Sequence, residues 1–151
     1  EHLLSHPSKR GKVLNQVLEI GSGCGYHSAV LSHFANDVCA VERIKPLVSK
    51  SRENLRELKI RNVIVKHADG FNGWEEDLKF DGIICAAAPR QYPEELLDLL
   101  EVGGKLVIPV GLEGKQKLYV ITKKSETEIE EIIHEDVAFV PMLPGVSNGE
   151  V

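Results

Sequence analysis

Residues 19–26 hold the side chains whose types and spacing most directly suggest chemistry in this 151-residue chain. Glu19 lies in an apolar run, and three glycines follow it at alternate positions: Gly21, Gly23 and Gly25. A helix-forming segment begins at Tyr26. Open α/β sheets use a strand, a glycine turn and a helix to hold the polar end of a nucleotide-like cofactor, because the ligand can approach the glycine backbone and the helix N-terminus. We therefore predict a cofactor loop here, with Glu19 accepting from the amino group of a cationic ligand.

The third glycine position separates two cofactor classes. Dinucleotide-binding loops follow the pattern G-x-G-x-x-G. Here that third position is Tyr26, and Gly25 comes one residue earlier. This spacing, with Glu19 two residues before the first glycine, resembles the first motif of S-adenosyl-L-methionine (SAM) dependent methyltransferases more than an NAD site. The loop residues predicted to bind the cofactor are Glu19, Gly21, Ser22, Gly23, Cys24, Gly25 and Tyr26.

Three further strand ends carry residues that suit such a ligand. Glu42 ends the second apolar run, where an acid can accept both ribose hydroxyls. Asp69 and Gly70 follow the third run, and the carboxylate there could meet an adenine amino group. Residues 86–89 follow the fourth with small side chains that leave room for a ligand. Each feature alone has an ordinary explanation as a turn, a surface acid or close packing, but four at one edge of a sheet indicate a nucleoside-type ligand.

The elements that would position these residues alternate along the chain. Short apolar runs alternate with amphipathic segments, which predicts a doubly wound, Rossmann-like α/β fold with a mostly parallel sheet. Strands are predicted at residues 16–20, 37–41, 63–67, 82–86 and 105–110, and helices at 26–34, 46–58 and 92–100, the last ended by Gly103 and Gly104. Segments 118–123 and 129–140 predict an antiparallel C-terminal edge, although 129–136 also fits a helix.

Composition limits the classes of function. One domain spanning residues 1–151 is the simplest organisation for a chain that is 42% hydrophobic and 27% charged. A net charge of −5 argues against non-specific nucleic-acid binding, and no apolar run reaches the roughly 20 residues of a membrane span. Three widely spaced cysteines predict free thiols in a reducing cytoplasm. We predict no metal site.

Several sequence segments carry a more specific resemblance. They are D-G-I-I-C-A-A-A-P at 81–89, E-V-G-G-K-L-V-I-P-V-G at 101–111, V-E-R-I at 41–44, H-A-D-G at 67–70 and F-V-P-M at 139–142. Over residues 17–143 the chain resembles the protein-L-isoaspartate O-methyltransferase family. The resemblance implies repair of damaged proteins, in which a methyl group moves from SAM to the free carboxylate of an L-isoaspartyl residue. S-adenosyl-L-homocysteine (SAH) is then the product, and the unstable ester collapses to a succinimide.

The resemblance also implies roles for particular residues. Glu19, residues 21–26, Glu42, Asp69 and Gly70 would line the cofactor site. The peptide groove would be bordered by Ala87, Ala88, Pro89, Val140, Pro141 and Met142. The implied partners are isoaspartyl-containing proteins and peptides. We expect a monomer that binds neither nucleic acid nor membranes.

The chain departs from the family pattern at its start. Family members carry a T-I-S-x-P-like motif whose hydroxyl residue helps hold the substrate carboxylate, and residues 1–5 resemble the end of the helix that follows that motif. The resemblance therefore places the hydroxyl residue upstream of Glu1, so we assign no catalytic residue and expect cofactor binding with little or no turnover. Three alternatives stay open: a SAM methyltransferase with another substrate, a noncatalytic SAM-binding domain, and an NAD-linked oxidoreductase, which Tyr26 disfavours.

Overall fold

A computed structural model describes residues 12–74 and 76–149. Glu1 and the helix end predicted at residues 1–5 lie outside these ranges. The strands are β1 (Leu14–Ile20), β2 (Ala35–Glu42), β3 (Val63–His67), β4 (Phe80–Cys85), β5 (Ala87–Ala88), β6 (Leu100–Val110), β7 (Gln116–Lys123), β8 (Ile129–Val137) and β9 (Val140–Pro141). The α-helices are α1 (Tyr26–Leu31), α2 (Lys45–Glu57) and α3 (Glu94–Asp98), and a 3-10 turn covers Gly70–Asn72.

Seven strands form one sheet in the order β3-β2-β1-β4-β6-β7-β8. The strands from β3 to β6 pair in parallel, whereas β7 and β8 are antiparallel. Both the parallel sheet and its antiparallel C-terminal edge were predicted from sequence and are confirmed. The chain runs outward from β1 to β3 and then returns to the other side of β1, so the carboxyl end of β1 lies at a topological switch point. Ligands of open α/β sheets bind at such points.

Apolar side chains on both faces bury the central strands, as expected for a parallel sheet. One face carries the larger core cluster, which includes Leu18, Phe80, Ile83 and Leu106. On the opposite face, α1 and α2 cover β1 and β2. The C-terminal ends of the strands are therefore held rigidly, and the loops that follow them project from a fixed frame.

Helix α2 is amphipathic, as its sequence predicts. Val48, Ser51, Asn54 and Leu55 are buried, whereas Leu58, the last residue of the predicted helix, is exposed. Leu58 is the C-cap residue, which directly follows the last helical residue, Glu57.

The helix predicted at residues 92–100, with Gly103 and Gly104 ending it, was wrong at its C-terminal end. Helix α3 is only Glu94–Asp98, and Leu100 already pairs with Phe80 as the first residue of β6. The register shifts between Phe80 and Gly82, and a Cβ on Gly104 would lie 2.9 Å from the Glu101 carbonyl oxygen. Gly104 therefore permits an irregular strand pairing instead of ending a helix.

The C-terminal hairpin β7–β8 forms the outer edge of the sheet. The Lys124 N–H donates to the Glu128 carbonyl at 2.9 Å and closes its turn. The helical alternative for residues 129–136 is wrong, because pairing with β7 takes up the backbone of this segment. β8 is almost entirely exposed and carries four carboxylates: Glu130, Glu131, Glu135 and Asp136. It ends at Val137, and Val140–Pro141 forms β9 beside β5.

No helix among residues 12–74 and 76–149 has the length and hydrophobicity needed to cross a lipid bilayer.

Candidate cofactor and peptide site

The glycine turn after β1 has the backbone conformation that only glycine adopts readily. Gly21, Gly23 and Gly25 have φ angles of 87°, 56° and 90°. Gly25 also faces α2 closely, since a Cβ there would lie 3.1 Å from the Ser51 Cα. The N–H groups of Gly21 and Ser22 both donate to the Val41 carbonyl, at 2.9 and 3.3 Å. These bonds fasten the turn to the end of β2.

Glu42 ends β2 and is buried beside the turn. Its Oε1 accepts from the Gly23 N–H at 2.9 Å, and its Oε2 accepts from the Ile44 N–H at 3.0 Å. An ionised carboxylate has about four acceptor positions. These two bonds therefore leave capacity for further donors, as a pair of ribose hydroxyls would require.

A cavity of about 430 Å³ opens at the carboxyl ends of β1, β2 and β4. Its volume falls within the roughly 300–1,000 Å³ typical of small-molecule sites. Most of its surface is apolar, and Glu42 lies in its wall. The described lining residues are Ile20, Gly21, Gly23, Val41, Glu42, Arg43, Ile44, Leu47, Ala68, Gly70, Ala86, Ala87, Val140, Pro141, Met142 and Leu143.

The segment that follows β8 crosses the mouth of this cavity. β9 pairs in parallel with β5, and the Met142 N–H donates to the Ala88 carbonyl at 2.9 Å. Farther on, Ser147 reaches the end of β2: its N–H donates to the Arg43 carbonyl at 2.6 Å, and its carbonyl accepts from the Lys45 N–H at 2.8 Å. Residues 140–147 thus join both sides of the cavity.

Asp69 lies at the edge of this arrangement. Its Oδ1 accepts from the Phe71 N–H and its Oδ2 from the Gly145 N–H, both at 2.9 Å. Gly70, the next residue, lines the cavity, where a Cβ would meet the Ile20 side chain at 2.5 Å and the Met142 Cε at 3.1 Å. A side chain at position 70 would therefore clash with Ile20 and Met142, which both line the cavity.

Glu19 lies beneath α1, and its carboxylate is not among the described lining groups. Ser28 donates its hydroxyl to Oε1, and the His27 ring nitrogen Nδ1 pairs with Oε2. The hydrogen bond to Glu19 raises the pKa of His27, although partial burial opposes that effect. In this arrangement Glu19 fixes the start of α1, and its predicted contact with a ligand amino group stays a prediction.

The structure brings eight of the sixteen predicted residues to the wall of one cavity. From the cofactor set, Gly21, Gly23, Glu42 and Gly70 line it, as do Ala87, Val140, Pro141 and Met142 from the peptide set. The predicted residues outside the described lining are Glu19, Ser22, Cys24, Gly25, Tyr26, Asp69, Ala88 and Pro89. Tyr26 and Cys24 are exposed, whereas Ser22 and Ala88 are buried.

The substrate-holding hydroxyl residue of the family falls outside this geometry. The sequence resemblance places it upstream of Glu1, and the described residues begin at position 12. Its position therefore stays a prediction. No residue in the cavity wall is assigned a catalytic role in its place.

Sequence reasoning missed several lining residues, among them Ile44, Leu47 and Leu143. A signal existed for Leu47: it follows Pro46 in the first turn of α2, so it lies near the end of β2. Leu143 had no such signal, because only the crossing of the tail brings it to the cavity. Among the described residues, no cluster of His, Cys, Asp or Glu side chains could hold a metal ion.

Sequence comparison identifies the family. The sequence profile of protein-L-isoaspartate(D-aspartate) O-methyltransferases matches residues 11–147. The chain belongs to this family. It is 49% identical over 142 residues to the protein-L-isoaspartate O-methyltransferase of Methylobacillus flagellatus, an alignment that covers 92% of this chain and 63% of that protein. It is 50% identical over 135 residues to the Nitrosomonas eutropha enzyme, covering 89% and 60%. The chain thus spans about three fifths of the length of these relatives.

Solved structures agree with this membership. A protein-L-isoaspartate O-methyltransferase aligns with a TM-score of 0.79 and 27% identity, covering 88% of this chain and 43% of that one. A Plasmodium falciparum protein assigned to the same methyltransferases, solved in complex with SAH, aligns with a TM-score of 0.70 and 34% identity, covering 85% and 66%. The doubly wound sheet of this chain is therefore the Rossmann-like fold of SAM-dependent methyltransferases.

Proposed function

We propose that this chain is the cofactor-binding part of a protein repair methyltransferase, which transfers a methyl group from SAM to the free carboxylate of L-isoaspartyl residues. The observation that carries the proposal is the cavity between the glycine turn and Glu42, at the topological switch point of the sheet. The relatives of this chain are named protein-L-isoaspartate O-methyltransferases. The whole reaction belongs to a protein of which this chain spans about three fifths.

The residues present suit the cofactor. A buried carboxylate with spare acceptor capacity faces the cavity at Glu42, where two ribose hydroxyls can donate. Ile44, Leu47 and Met142 supply apolar wall on which an adenine ring can pack. The proposal also keeps in the cofactor site the predicted residues outside the described lining: Glu19, Ser22, Cys24, Gly25, Tyr26 and Asp69. To contact the cofactor, the carboxylates of Glu19 and Asp69 would exchange their present hydrogen-bond donors for donors of the ligand.

The peptide side of the site is built from β5 and the tail. Ala87 lines the cavity beside Val140 and Pro141, which are both exposed. Ala88 and Pro89 complete the proposed border. An exposed apolar rim next to the cavity suits an extended peptide whose modified residue points inward.

The reaction needs little general acid–base catalysis from the protein. When bound, SAM supplies a methyl group on a positively charged sulfur. The isoaspartyl carboxyl, with an ordinary pKa of about 4, is already ionised at neutral pH and is its own nucleophile. One carboxylate oxygen forms a bond to the methyl carbon while the carbon–sulfur bond breaks, and the electron pair leaves on the neutral thioether of SAH. The chain's task is alignment, which can lower a barrier by about 7–11 kcal/mol in favourable cases.

Calorimetric titration with SAH is the first experiment, and saturable binding is expected. NADH serves as the competing ligand, and preference for NADH would replace the proposal with an oxidoreductase. The second experiment compares methyl transfer to an isoaspartyl peptide and its aspartyl counterpart. It uses this chain alone and this chain extended before Glu1 by the matching segment of a relative. Transfer to both peptides alike would point to another substrate, and binding without transfer by either form would favour a noncatalytic domain.

We further propose that the chain forms a single domain and is a monomer in the cytoplasm. Its partners would be proteins, and it would bind neither nucleic acids nor membranes. The net charge of −5 supports the exclusion of a polyanionic partner. The three free thiols, Cys24, Cys39 and Cys85, support a reducing compartment. Sedimentation of the purified chain tests its oligomeric state.

A further inference from the structure

Two polar side chains of α2 point at the glycine turn. The Ser51 hydroxyl donates to the Gly23 carbonyl at 2.7 Å, and the Asn54 amide Nδ2 donates to the Cys24 carbonyl at 2.9 Å. Ser51 is fully buried and Asn54 is 6% exposed. Successive carbonyls of the turn are thus held by side chains one helical turn apart.

Together with Glu42, these bonds hold Gly23 from both sides. Its N–H donates to Glu42 Oε1, and its carbonyl accepts from Ser51. The C=O and N–H of a trans peptide point in opposite directions within one plane. Holding the Gly23 carbonyl toward α2 therefore also fixes the direction of the Cys24 N–H, away from that helix.

Glycine-rich turns have a large conformational entropy, and a ligand that orders such a turn loses part of its binding free energy. Packing alone does not require polar atoms here, because alanine at these positions would avoid the cost of burying a hydroxyl and an amide. What the two side chains add is a single conformation of residues 23 and 24 before any ligand arrives.

We propose that Ser51 and Asn54 are positioning residues that hold the glycine turn in its cofactor-binding conformation. This inference rests on the proposed function. The two residues touch the turn and not the cavity, since neither belongs to its described lining. Their effect reaches the cofactor only through the Gly23 and Cys24 peptides.

The test uses Ser51→Ala, Asn54→Ala and the double variant, with SAH affinity measured by calorimetry. The double variant should bind SAH at least about tenfold more weakly, as expected for losing two buried hydrogen bonds. Val48→Ala is the matched control, because Val48 is buried on the same helix and packs in the cluster of Ala40 and Leu55. It should lower the unfolding free energy and leave SAH affinity within about twofold.

Amide hydrogen exchange of the ligand-free protein supplies a readout that a loss of stability elsewhere would not produce. Exchange of amides 23–25 should accelerate selectively in the double variant and not in Val48→Ala. Equal SAH affinity in the wild type and the double variant would overturn this inference alone, as would unchanged exchange at these amides. Failure of the wild-type chain to bind SAH would instead overturn the proposed function, and the inference with it.

Discussion

The backbone N–H of Gly23 donates to Oε1 of Glu42 across 2.9 Å. The acid at the end of β2 therefore supports the glycine turn that follows β1, as well as facing the cavity. Two motifs that the sequence assigns to different parts of a ligand are joined in one hydrogen-bonded unit. A change at either is expected to disturb both.

Glu42→Ala should weaken SAH binding by about 1–3 kcal/mol, because it removes a charged acceptor for the ribose and the support of the Gly23 N–H. Calorimetry measures the change in dissociation constant. Glu53→Ala is the control, since Glu53 is an exposed acid on α2 away from the described lining. An unchanged dissociation constant would remove Glu42 from the cofactor site.

The pair of His27 and Glu19 should make stability depend on pH. The hydrogen bond to Glu19 raises the pKa of His27 above its ordinary 6.5. Its contribution to the unfolding free energy is therefore complete below pH 6.5 and is lost as the pH rises through the raised value. Urea unfolding between about pH 5.5 and pH 8.5 should show wild type losing its advantage over His27→Gln as the pH rises. A difference independent of pH would contradict the pairing.

The three thiols should differ sharply in reactivity. Cys24 is exposed in the glycine turn, whereas burial raises the pKa of Cys39 to about 11 and also raises that of Cys85. Since the thiolate is the reactive form, only about one Cys39 in a thousand would be ionised near pH 8. Iodoacetamide followed by mass spectrometry should label Cys24 first, and Cys24→Ser should abolish the rapid phase. Rapid labelling of Cys39 or Cys85 in the folded protein would refute this.

Asp81 should contribute to the stability of the fold and not to ligand binding. This buried carboxylate at the start of β4 accepts from the Asn15 and Gln16 N–H groups, both at 2.7 Å, and so ties β4 to β1. Asp81→Asn leaves one acceptor for two backbone donors, so we expect a loss of about 1–3 kcal/mol in unfolding free energy by urea titration. Asp77→Asn, at an exposed position, should change it little. Equal effects from both variants would argue against this tie.

The sequence predicts the elements of this fold better than their ends. β3 matches its predicted range, Val63–His67, because polar residues precede the short apolar run and an acidic turn follows it. Leu100 was predicted to be helical and starts a strand instead. Its pairing with Phe80 depends on residues 20 positions earlier, which a local pattern does not contain.

In the candidate site, too, the sequence predicts the features that depend on local patterns and misses those that depend on distant residues. Gly21, Gly23 and Glu42 were found because a glycine turn and a strand-end acid are local signals at the switch point of a parallel sheet. The distant partner of Asp69 could not be found in this way, because its Oδ2 accepts a hydrogen bond from the N–H of Gly145, 76 residues later. Contacts made by the returning tail depend on the whole topology.

The four carboxylates of β8 also bear on how copies of this chain meet. A strand at the end of a sheet is a template on which another chain can extend the ladder into an aggregate. Any chain that added to β8 would run along Glu130, Glu131, Glu135 and Asp136. Lysines pair with two of these carboxylates, Lys124 with Glu130 and Lys117 with Asp136, and a charged edge of this kind discourages pairing with a second copy of the strand. At the opposite end, Arg52 donates to the Val65 carbonyl of β3 at 2.7 Å and occupies part of that ladder. Both margins of the sheet thus discourage self-templated polymerisation.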